Sequence, residues 1–141
     1  MNYLILRSDN RATLAQWLAD GNCVVACLCA AWCDTCSVYK TRFAELAALH
    51  PAQRFVWIDI EDEADLAGDL DVENFPTLLI QQDDIVSFFG PVLPDMRQAD
   101  LLLRAQLSKS AGELQVDARS SEERQSWQRI CNLRLRLGET A

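Results

Sequence analysis

Residues 22–36 read NCVVACLCAAWCDTC, and this stretch decides the fold. From Asn22 to Ala30 it is apolar almost throughout and rich in small and β-branched side chains, the composition of a strand buried on both faces. Such a strand belongs near the centre of a sheet. The stretch then delivers the chain into Asp34 to His50, where Val38, Phe43, Leu46, Ala47 and Leu49 recur at roughly helical spacing before Pro51 closes the segment. Cys33 and Cys36 therefore stand where a buried strand becomes a long helix. A cysteine at a helix start faces unpaired backbone N–H groups and the positive end of the macrodipole, which favour thiolate over thiol. A second thiol three positions on lies one turn away on the same face, close enough to attack a mixed disulfide formed on the first. Cys33 is thus the candidate nucleophile and Cys36 the candidate resolving thiol.

Outward from this stretch, strands and helices alternate. Tyr3 to Arg7 is a short apolar run, and Ser8 or Asp9 can cap a helix carrying Leu14, Trp17 and Leu18 on one face, ended by Gly21. Arg54 to Ile60 reads as a second buried strand, and the acidic stretch after it, with Ala64, Leu66, Ala67 and Leu70, as a short helix. Phe75-Pro76-Thr77 opens a strand from Leu78 to Gln81, and Asp83-Asp84 turns it into Ile85 to Phe89 as a hairpin. Asp95 to Ser108 is an amphipathic helix, and Lys109 to Arg119 a polar linker. Ser120 with Glu123 forms a capping box for a last helix through Trp127, Ile130, Leu133 and Leu137, although the alternation of leucines with arginines also fits a strand. The order predicts an α/β fold with a parallel core and an antiparallel hairpin at one edge.

Composition bounds the function. The chain has 141 residues, half of them apolar, enough for one globular domain. Its 21 acids against 13 bases give a net charge of -8, which offers no footprint for nucleic acid. The apolar run from Val24 to Cys33, ten residues, falls short of the roughly 18 to 20 needed to span a bilayer. No secretory signal pattern opens the chain, so a cytoplasmic location is expected. In a reducing compartment six cysteines point to metal or redox chemistry rather than to structural bridges. Five of them cluster between Cys23 and Cys36, and Cys131 stands apart as a structural residue. Zinc sites also use C-x-x-C, but they need a second pair of ligands, and the only histidine is His50, at the far end of the helix, so no metal is expected.

With Trp32, Cys33, Cys36, Pro76 followed by Thr77, and Gly90 after the last strand, the sequence resembles the thioredoxin family over about residues 1–109. The resemblance implies a thioredoxin fold: three layers, α/β/α, around a mixed sheet of about five strands, with residues 110–141 as a linker and an extra C-terminal helix. It implies a thiol–disulfide oxidoreductase serving cell redox homeostasis, with Cys33 and Cys36 catalytic. Trp32, Asp34, Thr35, Phe75, Pro76, Thr77 and Gly90 would form the substrate groove, with Pro76 cis against the cysteines. Disulfide-containing proteins would be the substrates, no cofactor would be bound, and electrons would come from a protein donor such as a thioredoxin reductase.

The sequence departs from that pattern in three places. Asp34-Thr35 replaces the usual Gly-Pro between the cysteines, and a carboxylate beside Cys33 opposes its thiolate and tilts the pair toward reductant behaviour, or else serves only as a first-turn acid. Cys27 stands where the family keeps a buried aspartate and Trp57 where it keeps the partner lysine, so the usual proton-transfer pair is absent. Cys27 and Cys29 lie two apart on a strand, hence on one face, expected to be the one under the active-site helix. The simplest reading makes both small buried hydrophobes; a second lets Cys27 form an alternative disulfide with Cys36; a third makes Cys27, Cys29, Cys33 and Cys36 ligands of a metal or cluster. The rival to the enzyme is a thioredoxin-fold binding or chaperone-like module that keeps the groove without catalysis. Eight acids and no base between Asp59 and Glu73 would steer basic partners, or simply solvate a helix. Trp127, Ile130, Leu133 and Leu137 need a cover: the same domain, a second copy or a dedicated partner.

Overall fold

A computed structural model describes residues 2–68, 70 and 72–140. The elements run β1 (Tyr3–Ile5), α1 (Arg11–Ala19), β2 (Cys23–Cys29), α2 (Asp34–Leu49), β3 (Arg54–Asp59), α3 (Ala64–Ala67), β4 (Thr77–Gln82), β5 (Ile85–Pro91), α4 (Met96–Leu107), α5 (Ala111–Ala118), α6 (Glu122–Ile130) and α7 (Leu133–Thr140). The five strands form one sheet in the order β1-β3-β2-β4-β5. β1, β3 and β2 pair in parallel, and β4 alone runs the other way, antiparallel to both β2 and β5. β2 occupies the centre and every one of its residues is buried, as an uninterrupted apolar strand requires.

Alternate residues of β2 supply two cores. Val24, Ala26 and Leu28 face a layer with Leu14 and Leu18 of α1 and Leu66 of α3, while Cys23, Val25, Cys27 and Cys29 face Cys36, Tyr39, Phe43 and Leu46 of α2 and Leu103 of α4. The molecule is therefore α/β/α, and the cysteine-bearing face of β2 lies under α2. The β4–β5 hairpin turns at Asp83, whose φ of 55° is tolerated by the short polar side chain. A register shift between Ile80 and Gln81 marks a bulge.

Three local expectations move. α1 starts after Asn10 rather than Ser8 or Asp9. The Asn10 carboxamide ties the entry turn instead, accepting from the Arg7 N–H at 2.7 Å and donating to the Ile5 carbonyl at 2.8 Å. The polar linker is the helix α5, opened by a capping box between Ser110 and Glu113; its one buried residue, Leu114, is too small a signal to betray a helix lying on the surface. The cap of α6 is Ser121, which accepts from the Arg124 N–H, one residue past the expected Ser120.

The last segment is helical, because Leu133 and Leu137, four apart, are buried while Leu135 between them is 49% exposed. Trp127, Leu133 and Leu137 join the core on the α1 side of the sheet, and only Ile130 stays exposed, at 38%. Of the covers the sequence allows, the same domain supplies the one for Trp127, Leu133 and Leu137, which leaves no apolar stripe of four residues for a second copy or a partner. Two side-chain clasps hold the extension. Gln81, fully buried on β4, donates to Asn132 at 2.7 Å and accepts from the Leu133 N–H at 2.8 Å. Gln128 of α6 accepts from the Val86 N–H and donates to the Val86 carbonyl, both at 2.8 Å, as a neighbouring strand would.

Candidate active site

The site forms where β2 ends. The Cys33 N–H donates to the Ala30 carbonyl at 3.1 Å, folding the chain into α2, and Cys33 becomes the N-cap residue with extended backbone. Its carbonyl accepts the first helical bond, from the Ser37 N–H at 3.2 Å. Cys33 is half-buried, whereas Cys23, Cys27, Cys29, Cys36 and Cys131 are buried. Asp34 and Thr35 are exposed on the first turn of α2. Trp32, 67% exposed, meets the ring of Phe75 edge-on, with centroids 5.5 Å apart. The Phe75–Pro76 peptide is cis. Cys33 and Phe75 both pack against the core beneath α2. Thr77 begins β4, its hydroxyl donating to the Asn74 carbonyl at 2.6 Å, and pairs with Pro91 beside Gly90. A Cβ on Gly90 would sit 3.5 Å from the Phe88 ring, ordinary contact, so space alone does not demand glycine there.

Cys36 is not paired with Cys33. It forms a disulfide with Cys29, and Cys33 carries a thiol. The alternative bridge considered from the sequence used Cys27; that residue is a buried thiol lying two positions deeper in β2, opposite Trp57 and Leu78. Burial pushes the Cys27 thiol well above its usual range and the Cys23 thiol up to about 12. The Tyr39 hydroxyl, buried without a hydrogen-bond partner, is also pushed up, first by burial and then by the charges of Cys27 and Asp95. Among the described residues no group of three or more His, Cys, Asp or Glu side chains is placed to hold a metal.

Two surroundings of the site could not be read from sequence. A cavity of about 150 Å³ borders Cys36 and is lined also by Ser37, Lys40, Trp57 and Asp59, with the Lys40 ammonium 5.8 Å from the Trp57 ring centre. Polar groups thus stand beside Cys36. A cleft of about 460 Å³ lies between Thr77, Gly90 and Pro91 on one side and Glu123, Ser126 and Ile130 of α6 on the other, so α6 forms one of its walls. The acidic run is partly neutralised: Arg11 holds Glu63 at 3.1 Å and Asp65 at 2.7 Å, and its hydrogen bond keeps the Asp65 carboxyl below the usual range. Asp69 and Asp71 of that run lie outside the described residues. Among the described residues no helix is long and apolar enough to cross a membrane.

The thioredoxin family model matches residues 6–91. "Thioredoxin-like protein CXXS1" of Oryza sativa subsp. japonica is 34% identical over 77 residues, covering 54% of this chain and 58% of that protein. "Thioredoxin H4-1" of the same plant is 33% identical over 85 residues, covering 57% of this chain and 65% of that one. The chain therefore spans about three-fifths of the length of these curated relatives. Among solved structures, a poplar wild-type thioredoxin h superposes with a TM-score of 0.68 at 20% identity, covering 78% of this chain and all of that one. A chain of the complex of ferredoxin:thioredoxin reductase with thioredoxin f2 superposes with a TM-score of 0.64 at 20% identity, covering 76% of this chain and 96% of that one. The family model spans β2, the cysteine pair, the cis proline and the hairpin, and this chain belongs to the thioredoxin family.

Proposed function

We propose that the protein is a thiol–disulfide oxidoreductase acting on protein disulfides. The observation that carries this reading is the placement of Cys33: the least buried of the six cysteines, at the N-cap of α2, next in sequence to the exposed Trp32, whose ring meets that of Phe75. An extended substrate segment lies along the backbone at Phe75–Pro76, with Thr77 and Gly90 flanking it and Asp34 and Thr35 on the opposite rim. Cys33 attacks a substrate sulfur, forming a mixed disulfide and expelling one substrate thiolate. Cys36 then attacks the Cys33 sulfur and expels the second. Electrons return from a protein dithiol donor such as a thioredoxin reductase. Proton handling at Cys36 falls to its bordering cavity, where Asp59, Lys40 and water can serve.

Reduction of insulin by dithiothreitol tests the reading. Wild type speeds precipitation of the freed chains, Cys33→Ser returns it to the uncatalysed rate, and Cys36→Ser accumulates a mixed disulfide with insulin. A wild-type protein without effect overturns the enzyme. One observation favours a second reading, a binding module: with Cys36 held by Cys29, Cys33 is a nucleophile without a resolving thiol, able to hold a partner but not to release it. That reading predicts stable adducts on wild type itself.

A further inference from the structure

The exchange just described leaves Cys29 idle, yet Cys29 is the residue joined to Cys36. It ends β2, and Cys36 lies in the first turn of α2, with Cα atoms 5.8 Å apart, a separation that disulfides ordinarily span. The face that turns Cys36 toward the sheet is the face on which β2 presents Cys27 and Cys29, and of these two Cys29 lies at the strand end, next to the turn into α2. Cys29 is fully buried and Cys36 only 2% exposed, so a reductant approaching from solvent meets Cys33 before it meets the bond.

Building on the oxidoreductase reading, we propose that Cys29 is a third redox cysteine, which takes Cys36 from the Cys33–Cys36 disulfide and stores the oxidised protein as a buried Cys29–Cys36 bridge with Cys33 left as a thiol in the groove. The two electrons have already passed to the substrate disulfide when Cys33–Cys36 forms. In the added step the Cys29 thiol gives up its proton and attacks the Cys36 sulfur. The Cys29–Cys36 bond forms as the Cys33–Cys36 bond breaks, and Cys33 leaves with the electron pair and takes up the proton. No net electron enters or leaves the protein, so no further oxidant is needed. In reverse, Cys33 attacks the Cys36 sulfur and restores the Cys33–Cys36 disulfide. Cys33 is thereby both the nucleophile toward substrate and the gate through which a donor reaches the stored bond.

Peptide mapping reads the pairing directly. The full chain is oxidised with diamide, its thiols are blocked with N-ethylmaleimide in denaturant, and it is cut with chymotrypsin after Leu28 and Trp32, which separates residues 29–32 from residues 33–39. The expected product joins these two peptides, with maleimide on Cys33; a product holding only the Cys33–Cys36 loop, with maleimide on Cys29, overturns the proposal. Cys29→Ala should give only that loop, and any other pairing of Cys36 in it counts against the assignment. The gate is tested by dithiothreitol reduction of the native, preoxidised protein. Opening of Cys29–Cys36 should slow by more than about tenfold in Cys33→Ser, because the most accessible attacking thiol is gone. Equal rates would make the bridge purely structural and overturn the relay. Insulin reduction separates the two readings: a wild type that is active but shows only the Cys33–Cys36 loop sinks the relay alone, and an inactive wild type sinks both.

Discussion

Gln81→Leu tests how the C-terminal extension is held. The Gln81 carboxamide donates to Asn132 Oδ1 at 2.7 Å and to the Asp83 carbonyl at 2.9 Å, and accepts from the Leu133 N–H at 2.8 Å. Leucine fills a similar volume and removes all three bonds. Counting bonds at about 1 kcal/mol each suggests a loss of about 3 kcal/mol, but the groups left behind decide the outcome. Asn132 Oδ1 keeps the Arg134 N–H at 3.0 Å, and the Asp83 carbonyl lies in an exposed turn where water can replace the lost donor. Only the Leu133 N–H is stranded, on a residue with no exposure, at the start of α7 where no earlier helical carbonyl can take it. One buried orphan donor costs about 1–3 kcal/mol, and that is the expected drop in unfolding free energy. Urea unfolding followed by tryptophan fluorescence measures it, Trp127 reporting on the extension against Phe88. Hydrogen exchange should show the Leu133 amide losing protection. An unchanged midpoint, or a loss of stability with Leu133 still protected, would refute the orphan-donor account.

Three further outcomes follow from the site. Cys27→Asp should raise the insulin-reduction rate at pH 7 by roughly tenfold or more, because a buried carboxylate accepts a proton there more readily than a thiol that burial keeps protonated; no gain would show that the cavity beside Cys36 already does this work. Stability should fall as pH rises from the ordinary thiol range toward about 12, since the unfolded chain ionises Cys23 while the folded one holds its thiol up to about 12. Cys23→Ala should flatten that slope by up to about 1.4 kcal/mol per pH unit, measured by urea unfolding between pH 8.5 and roughly 10.5. Iodoacetamide applied to the native protein at pH 8 should label Cys33 well before the buried Cys23 and Cys27, which intact mass and peptide mapping would check; early labelling of Cys27 would contradict its burial.

What could be read from the sequence was what local chemistry determines. The apolar run through β2, the break at Trp32 and the periodicity of α2 place Cys33 at a helix start without any knowledge of the rest, and Phe75-Pro76-Thr77 marks the opening of β4 in the same way. The pairing of Cys36 was not legible. Residues two apart on β2 share a face under α2, so Cys27 and Cys29 were equivalent by periodicity, and only the geometry of the strand end makes Cys29 the neighbour. The extension was legible in part. The spacing of Trp127, Leu133 and Leu137 announced an apolar stripe, but what covers a stripe is a tertiary fact, and here the cover is the chain's own sheet. α5 was not legible because a helix with one buried side chain carries almost no periodicity; its signal is the Ser110 and Glu113 cap.

The pairing of Gln128 with Val86 has a consequence for association between molecules. β5 is an edge strand, and an edge presents unpaired N–H and C=O groups to any extended peptide, a second copy included. By engaging both groups of Val86, the glutamine side chain stands where the next strand would begin, and α6 denies that edge to strand addition. Removing α5, α6 and α7 would therefore do more than shorten the chain. It would uncover a template for intermolecular β-pairing, and the shortened protein should aggregate where the full one stays dispersed.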